Sequence, residues 1–149
     1  MKNDIIRCDW AYSDLLVEYH DNEWGDFTLD DRKHFEFLCL EGFQAGLNWE
    51  IILKKREAMT EMFRNFDPEI LIKLKRKEFE SIYNDARGIR NRMKIDAVLN
   101  NAECFLRFQD KHGSFGKHIF EYIGSEIVVG DYESWKAVVV DDRTGRNRH

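Results

Sequence analysis

Proline is almost absent from this 149-residue chain, where Pro68 stands alone. With so few helix breakers and few loop-like stretches, the pattern favours compact helices joined by short connections. The three cysteines, Cys8, Cys39 and Cys104, are odd in number and widely spaced, which argues against a disulfide framework. Cys39 and Cys104 have apolar neighbours in the chain, as reduced core cysteines do. No apolar run approaches the roughly 20 residues that cross a bilayer, so nothing supports a membrane role. Residues Met1 to Arg7 hold neither an apolar core nor a small-residue cleavage site, and the expected location is the cytoplasm. The chain has no internal repeat, no low-complexity linker and no strand alternation before residue 126.

What is present fits one domain with a real core: 43% of residues are hydrophobic and 13% aromatic. The formal net charge of −5 is unevenly spread, with residues 1–53 at −8, residues 54–111 at +4 and residues 112–149 at −1. Phosphate contacts need only a local cluster of Lys, Arg and backbone N–H groups, so the acidic total does not exclude DNA.

Apolar spacing predicts a helix over 29–41, capped by Asp30 or Asp31 and buried on most sides through Phe35, Phe37, Leu38, Cys39 and Leu40. Gly42 and Gly46 bracket a turn into a second helix that runs from Leu47 through Lys54-Lys55-Arg56 to Met62 and Phe63. Asp67-Pro68 is an N-cap with proline at the first helical position, leading into Ile70, Leu71 and Leu74. Phe79, Ile82 and Tyr83 mark a further helix, Arg87-Gly88 a break, and Ile95 to Leu106 another apolar stripe. The expected fold is all-α, a compact domain of about six helices. After Gly124 the character changes to short β-branched runs, Glu126 to Gly130 and Ala137 to Val140, and a polar end. Residues 1–125 therefore read as the helical domain and 126–149 as an irregular or short-strand C-terminal tail.

Two runs stand out, Tyr19-His20-Asp21-Asn22-Glu23-Trp24-Gly25 and Leu40-Glu41-Gly42-Phe43-Gln44-Ala45-Gly46-Leu47-Asn48-Trp49. The second places Glu41 beside the apolar segment Phe35 to Leu40, where a charge is expensive unless paired. On spacing alone, Trp10, Tyr19, Trp24 and Trp49 read as core aromatics, whereas Glu41 invites a functional reading, with a structural helix-end carboxylate as the alternative. Cys8 and His20 carry little metal signal by spacing. Between Asp85 and Ile95, Gly88 suits a positive φ that ends one helix. The next helix then starts with free N–H groups beside Arg90, Arg92 and Lys94, which is either a phosphate clasp or a solvated basic face.

Both runs, in this order, resemble the signature of the bacterial 3-methyladenine DNA glycosylase I family. The segment Gly88-Ile89-Arg90-Asn91-Arg92 is similar to that family's helix-hairpin-helix element. The resemblance covers residues 7–125. It implies a helix-hairpin-helix DNA glycosylase that hydrolyses the N-glycosidic bond of alkylated adenine in double-stranded DNA during base-excision repair. No cofactor for the chemistry is implied. Glu41 would be a buried, catalytic carboxylate that reads the flipped base, and aromatics would wall its pocket, Tyr19 and Trp49 first, then Trp10 and Trp24. An electron-rich face attracts the cationic alkylated nucleotide more than undamaged adenine. Gly88, Arg90, Arg92 and Lys94 would contact the DNA backbone.

The family also binds a structural zinc through a cysteine and a histidine equivalent to Cys8 and His20, joined by a histidine and a cysteine near the C-terminus. This sequence has no cysteine after Cys104, and His112, His118 and His149 do not stand in that motif. Leu16 replaces an expected aromatic, and the Cys8 to His20 spacing is one residue short. Half of the zinc ligands are therefore present. Cys8 as a reduced surface thiol and His20 as a hydrogen-bonded structural histidine is the alternative. A monomer is expected, with a dimer bridged by zinc through two Cys8–His20 pairs as the other arrangement. A truncated product, a shifted reading frame or a divergent member would each explain residues 126–149. Two further function classes stay open: a DNA-binding module without turnover, and a helical protein-interaction domain.

Overall fold

The computed structural model of the chain describes residues 6–126, and the tail beyond Glu126, with its expected β-branched runs, lies outside the described residues. Among the described residues two compact units are present, one of residues 6–27 with 120–126 and one of Thr28–Ile119. Among the described residues there are seven α-helices and no strand, so the fold is all-α: α1 (Asp14–Asn22), α2 (Asp31–Gln44), α3 (Trp49–Met62), α4 (Pro68–Leu71), α5 (Arg76–Asn84), α6 (Arg92–His112) and α7 (Phe115–Tyr122).

Local chemistry sets most of the helix starts. Ser13 accepts from the Leu16 amide, Asp30 from Arg32, Asn48 from Ile51 and Asn91 from Lys94, each filling a donor that an N-terminal turn leaves unpaired. Asp67 caps α4 with Pro68 at its first position. That helix stops at Leu71, after one turn, and does not reach the expected Leu74. Between α3 and α4, Arg64, Asn65 and Phe66 lie in the left-handed region with φ of 54°, 56° and 50°. Such backbone costs about 1–2 kcal/mol per residue. Burial of Phe63 and Phe66, stacked 5.6 Å apart, offsets that cost.

The core of the larger unit is one cluster in which α2 supplies Phe35, Cys39, Leu40 and Phe43, and α6 supplies Ile95, Val98, Ala102 and Phe105. Helix α6 packs against α2, α4 and α5. Cys39 is buried, and burial pushes its thiol well above the ordinary range. Cys104, expected in the core, is exposed on α6 instead, because it sits two positions past Ala102 and off the stripe that Val98, Ala102 and Phe105 form.

Candidate functional site

Helix α2 and the turn after it carry the second of the two motif runs. The helix is longer than expected: Gly42 lies inside it, and the turn comes at Ala45-Gly46-Leu47, where Gly46 adopts φ +78°. Phe37 precedes Glu41 by four residues, which puts both on one helix face. The Phe37 ring is stacked on Trp49, centroids 6.3 Å apart at 20°. Lys33 and Arg56 also approach that ring, at 5.1 and 5.4 Å from its centroid. Arg56 in turn pairs with Glu36 at 2.7 Å, joining α3 to α2. Glu36 is partly buried, which disfavours its charge, but Arg56 and Lys33 outweigh this and hold its carboxyl below the ordinary range. Glu41 itself is exposed, correcting the expectation of a buried carboxylate, because its position on α2 falls one residue past the buried Leu40 and off the core face. The charge is thus solvated and open to a ligand.

In the smaller unit, Trp10 forms the centre of an aromatic group. Its ring lies 6.1 Å from Tyr19, 5.2 Å from His20 and 5.3 Å from Trp24, and His20 stacks on Trp24 at 5.3 Å. Tyr19 and Trp10 are half-buried while Trp24 is exposed. His20 holds the group in place. Its Nε2 accepts the Cys8 N–H at 3.3 Å and its Nδ1 donates to Asp21 at 3.0 Å. Asp21 is gripped by the Arg7 guanidinium at 2.6 Å, and that partner, with a smaller contribution from His20, keeps its carboxyl below the ordinary range.

Cys8 and His20 are therefore neighbours, as the zinc reading requires, but through the backbone of Cys8 and not its sulfur. With both ring nitrogens engaged, His20 offers no lone pair to a metal. Among the described residues, no three His, Cys, Asp or Glu side chains group to hold an ion. The described residues do not fit a four-ligand zinc site.

The basic segment lies in the loop between α5 and α6. Helix α5 ends at Asn84 with Asp85 after it, and Gly88 does not adopt positive φ. It packs against the end of a side chain instead: a Cβ there would sit 2.6 Å from Met62 Cε and 2.8 Å from its Sδ, so that thioether would have to shift. The loop is fastened from α3, where Lys55 donates to the Arg87 carbonyl at 2.9 Å and Glu61 pairs with Arg87 at 2.7 Å. Asp85 pairs with Arg87 as well, at 2.9 Å, and the two carboxylates raise the guanidinium's pKa further. Arg90 is exposed. Arg92 lies over the Tyr83 ring at 4.4 Å, and the Tyr83 hydroxyl donates to Asp96, which raises its pKa. Arg92 and Met93 open α6, so their amides have no carbonyl one turn back to bond. Lys94, expected on the DNA backbone with them, points inward: its ammonium donates to the Phe43 carbonyl at 2.7 Å and to the Ala45 carbonyl. Neither the Tyr83 platform nor the Lys94 cap follows from the sequence pattern. Neither pairing carries a local signal, since the partners are 9 and 51 residues apart.

A family model described as methyladenine glycosylase matches residues 10–147, past the point where the motif resemblance stops. The chain is 35% identical over 133 residues to the DNA-3-methyladenine glycosylase of Haemophilus influenzae, covering 89% of this chain and 72% of that protein. It is 39% identical over 121 residues to DNA-3-methyladenine glycosylase 1 of Escherichia coli, covering 80% and 65%. A structure of 3-methyladenine DNA glycosylase I from Staphylococcus aureus, concerned with 3-methyladenine recognition, aligns with a TM-score of 0.83 at 30% identity over 91% of this chain and 73% of that one.

Proposed function

The chain belongs to the methyladenine glycosylase family, and from that premise we propose that it hydrolyses the N-glycosidic bond of 3-methyladenine in duplex DNA, leaving an abasic site. The observation that carries this reading is the α2 face on which Glu41 follows Phe37 by one turn while Phe37 stacks on Trp49. A carboxylate beside an aromatic wall suits a flat, cationic ligand.

Glu41 accepts hydrogen bonds from the exocyclic amino group and a ring proton of the damaged base, and its charge complements the positive charge of N3-alkylated adenine. Trp49 offers a ring face to that base through cation–π contact. Trp10 and Trp24 hold the aromatic group around Tyr19 and His20. Extruding a base from the stack costs a few kcal/mol, least for a damaged one, which adds selectivity before any contact is made. Alkylation makes adenine a good leaving group, so an electrostatically suited site with water as nucleophile suffices. The signature runs contain no lysine, and no strand-cleaving lyase step is expected. Abasic aldehydes should accumulate in methylated duplex DNA exposed to the protein and not in unmethylated DNA. DNA binding without such aldehydes would make the chain a binding module instead.

The segment α5–loop–α6 acts as a helix-hairpin-helix that grips phosphate through Arg90, Arg92 and the open amides of α6, with Tyr83 holding Arg92 ready. Arg90→Ala combined with Arg92→Ala should weaken binding to all DNA sequences alike and flatten the salt dependence by about one unit of slope for each phosphate no longer neutralised. A salt titration that superposes on the parent's would move the clasp elsewhere.

No stoichiometric zinc is expected on this chain. Structural zinc takes four donors and contributes folding energy in proportion, whereas His20 spends both nitrogens on Cys8 and Asp21. Elemental analysis of protein purified without added metal should find well under one zinc per chain. One tightly held zinc per chain would refute this, and one per two chains would establish the bridged dimer.

A further inference from the structure

The C-terminal end of α2 has carbonyls that no later turn of the helix can satisfy. The Gln44 carbonyl accepts from the Leu47 amide at 2.6 Å. Those on either side of it, Phe43 and Ala45, both accept from the Lys94 ammonium. A cation at this end also complements the helix dipole. Lys94 thus closes α2 and fixes the path of the chain into Gly46. Glu41 lies two residues before the first of its acceptors and Trp49 four residues after the second, so this one side chain sets the segment that joins them.

Lys94 itself belongs to the other half of the chemistry. It stands in the first turn of α6, two residues after Arg92 and with its amide capped by Asn91. We infer that Lys94 is a positioning residue for base excision, which holds the Glu41–Trp49 segment in its working geometry and ties it to the hairpin that grips DNA. This inference rests on the glycosylase reading. Displacing a binding group by about 1 Å can cost on the order of 10²-fold in rate, so a cap two residues from Glu41 has leverage that exceeds its own hydrogen bonds.

The test is a split between turnover and binding. Lys94→Met keeps the aliphatic stem and removes the donors. It should lower the single-turnover rate of 3-methyladenine release by about tenfold or more, while the Kd for duplex DNA and its salt slope stay at the parent's values. Lys94→Arg, which retains the cation, should recover part of the rate. A loss confined to DNA affinity with a shallower salt slope would return Lys94 to the phosphate clasp and overturn the inference, as would an unchanged release rate. Circular dichroism establishes folding. If Lys94→Met does not fold, Lys94→Gln, which removes the charge and keeps a neutral NH₂, is read the same way, and failure of both to fold would make Lys94 a folding residue and refute the assignment. The parent protein is assayed alongside. No release by the parent overturns the glycosylase reading itself, whereas release by the parent with no effect of the variants overturns only the role of Lys94.

Discussion

Glu41→Gln is expected to lower the release of 3-methyladenine about 10²-fold while leaving the fold and the DNA affinity unchanged, the magnitude typical of removing one preorganised electrostatic group. The substitution keeps the shape of the side chain and deletes only its charge. Because Glu41 is exposed on α2, the neutral amide leaves no buried group without a partner, so stability should not move. The loss should therefore be in the rate of base release and not in binding of the duplex. Single-turnover release measured on a well-folded variant checks this, and an unchanged rate would remove Glu41 from the chemistry.

Asp31→Asn should destabilise the larger unit by about 2 kcal/mol, a large effect for an isosteric change. Asp31 does not cap its own helix, a task that falls to Asp30. Its carboxylate reaches across to the start of α7 and accepts four hydrogen bonds, with Oδ1 taking Ser114 Oγ at 2.7 Å and the Gly116 amide at 2.9 Å, and Oδ2 taking Gln109 Nε2 at 2.6 Å and the Phe115 amide at 2.9 Å. All four partners donate, so an amide NH₂ in place of either oxygen faces donors with a donor. Partial burial disfavours the charge of Asp31, but the amides of Gly116 and Phe115, with Ser114 and Gln109, outweigh it and hold the carboxyl below the ordinary range. A group whose pKa is depressed by folding contributes fully above its unfolded value, about 3.9, and loses that contribution as pH falls through the folded value. The gap in melting temperature between the parent and Asp31→Asn should be constant near neutral pH and shrink below about pH 4. A gap that is absent at pH 7, or that widens in acid, would contradict this role.

Much of the fold could be read from the sequence because helix starts are local events. Asp30, Asp67-Pro68 and the apolar stripe through Ile95, Val98 and Ala102 are each settled within a few residues, and each appears where the chain pattern places it. The motif runs were legible for a different reason, since a family signature records chemistry and not geometry. Long-range packing was not legible. Gly88 packs against the end of Met62 without a positive φ, and nothing within the loop reveals that. Lys94 sits in a basic run that reads as one clasp, yet the open carbonyls that claim it belong to a helix end 49 residues earlier in the chain. Cys104 and Glu41 show the same limit: apolar neighbours in sequence predict burial only when the helix turns that position toward the core.

Base excision by this chain is tested by identifying the bases set free from randomly methylated duplex DNA. 3-Methyladenine should appear in the soluble fraction, undamaged adenine should not, and the strand should stay intact until it is treated with alkali. Saturating binding to the same DNA with no free base, or release of adenine and 3-methyladenine at equal rates, would contradict it.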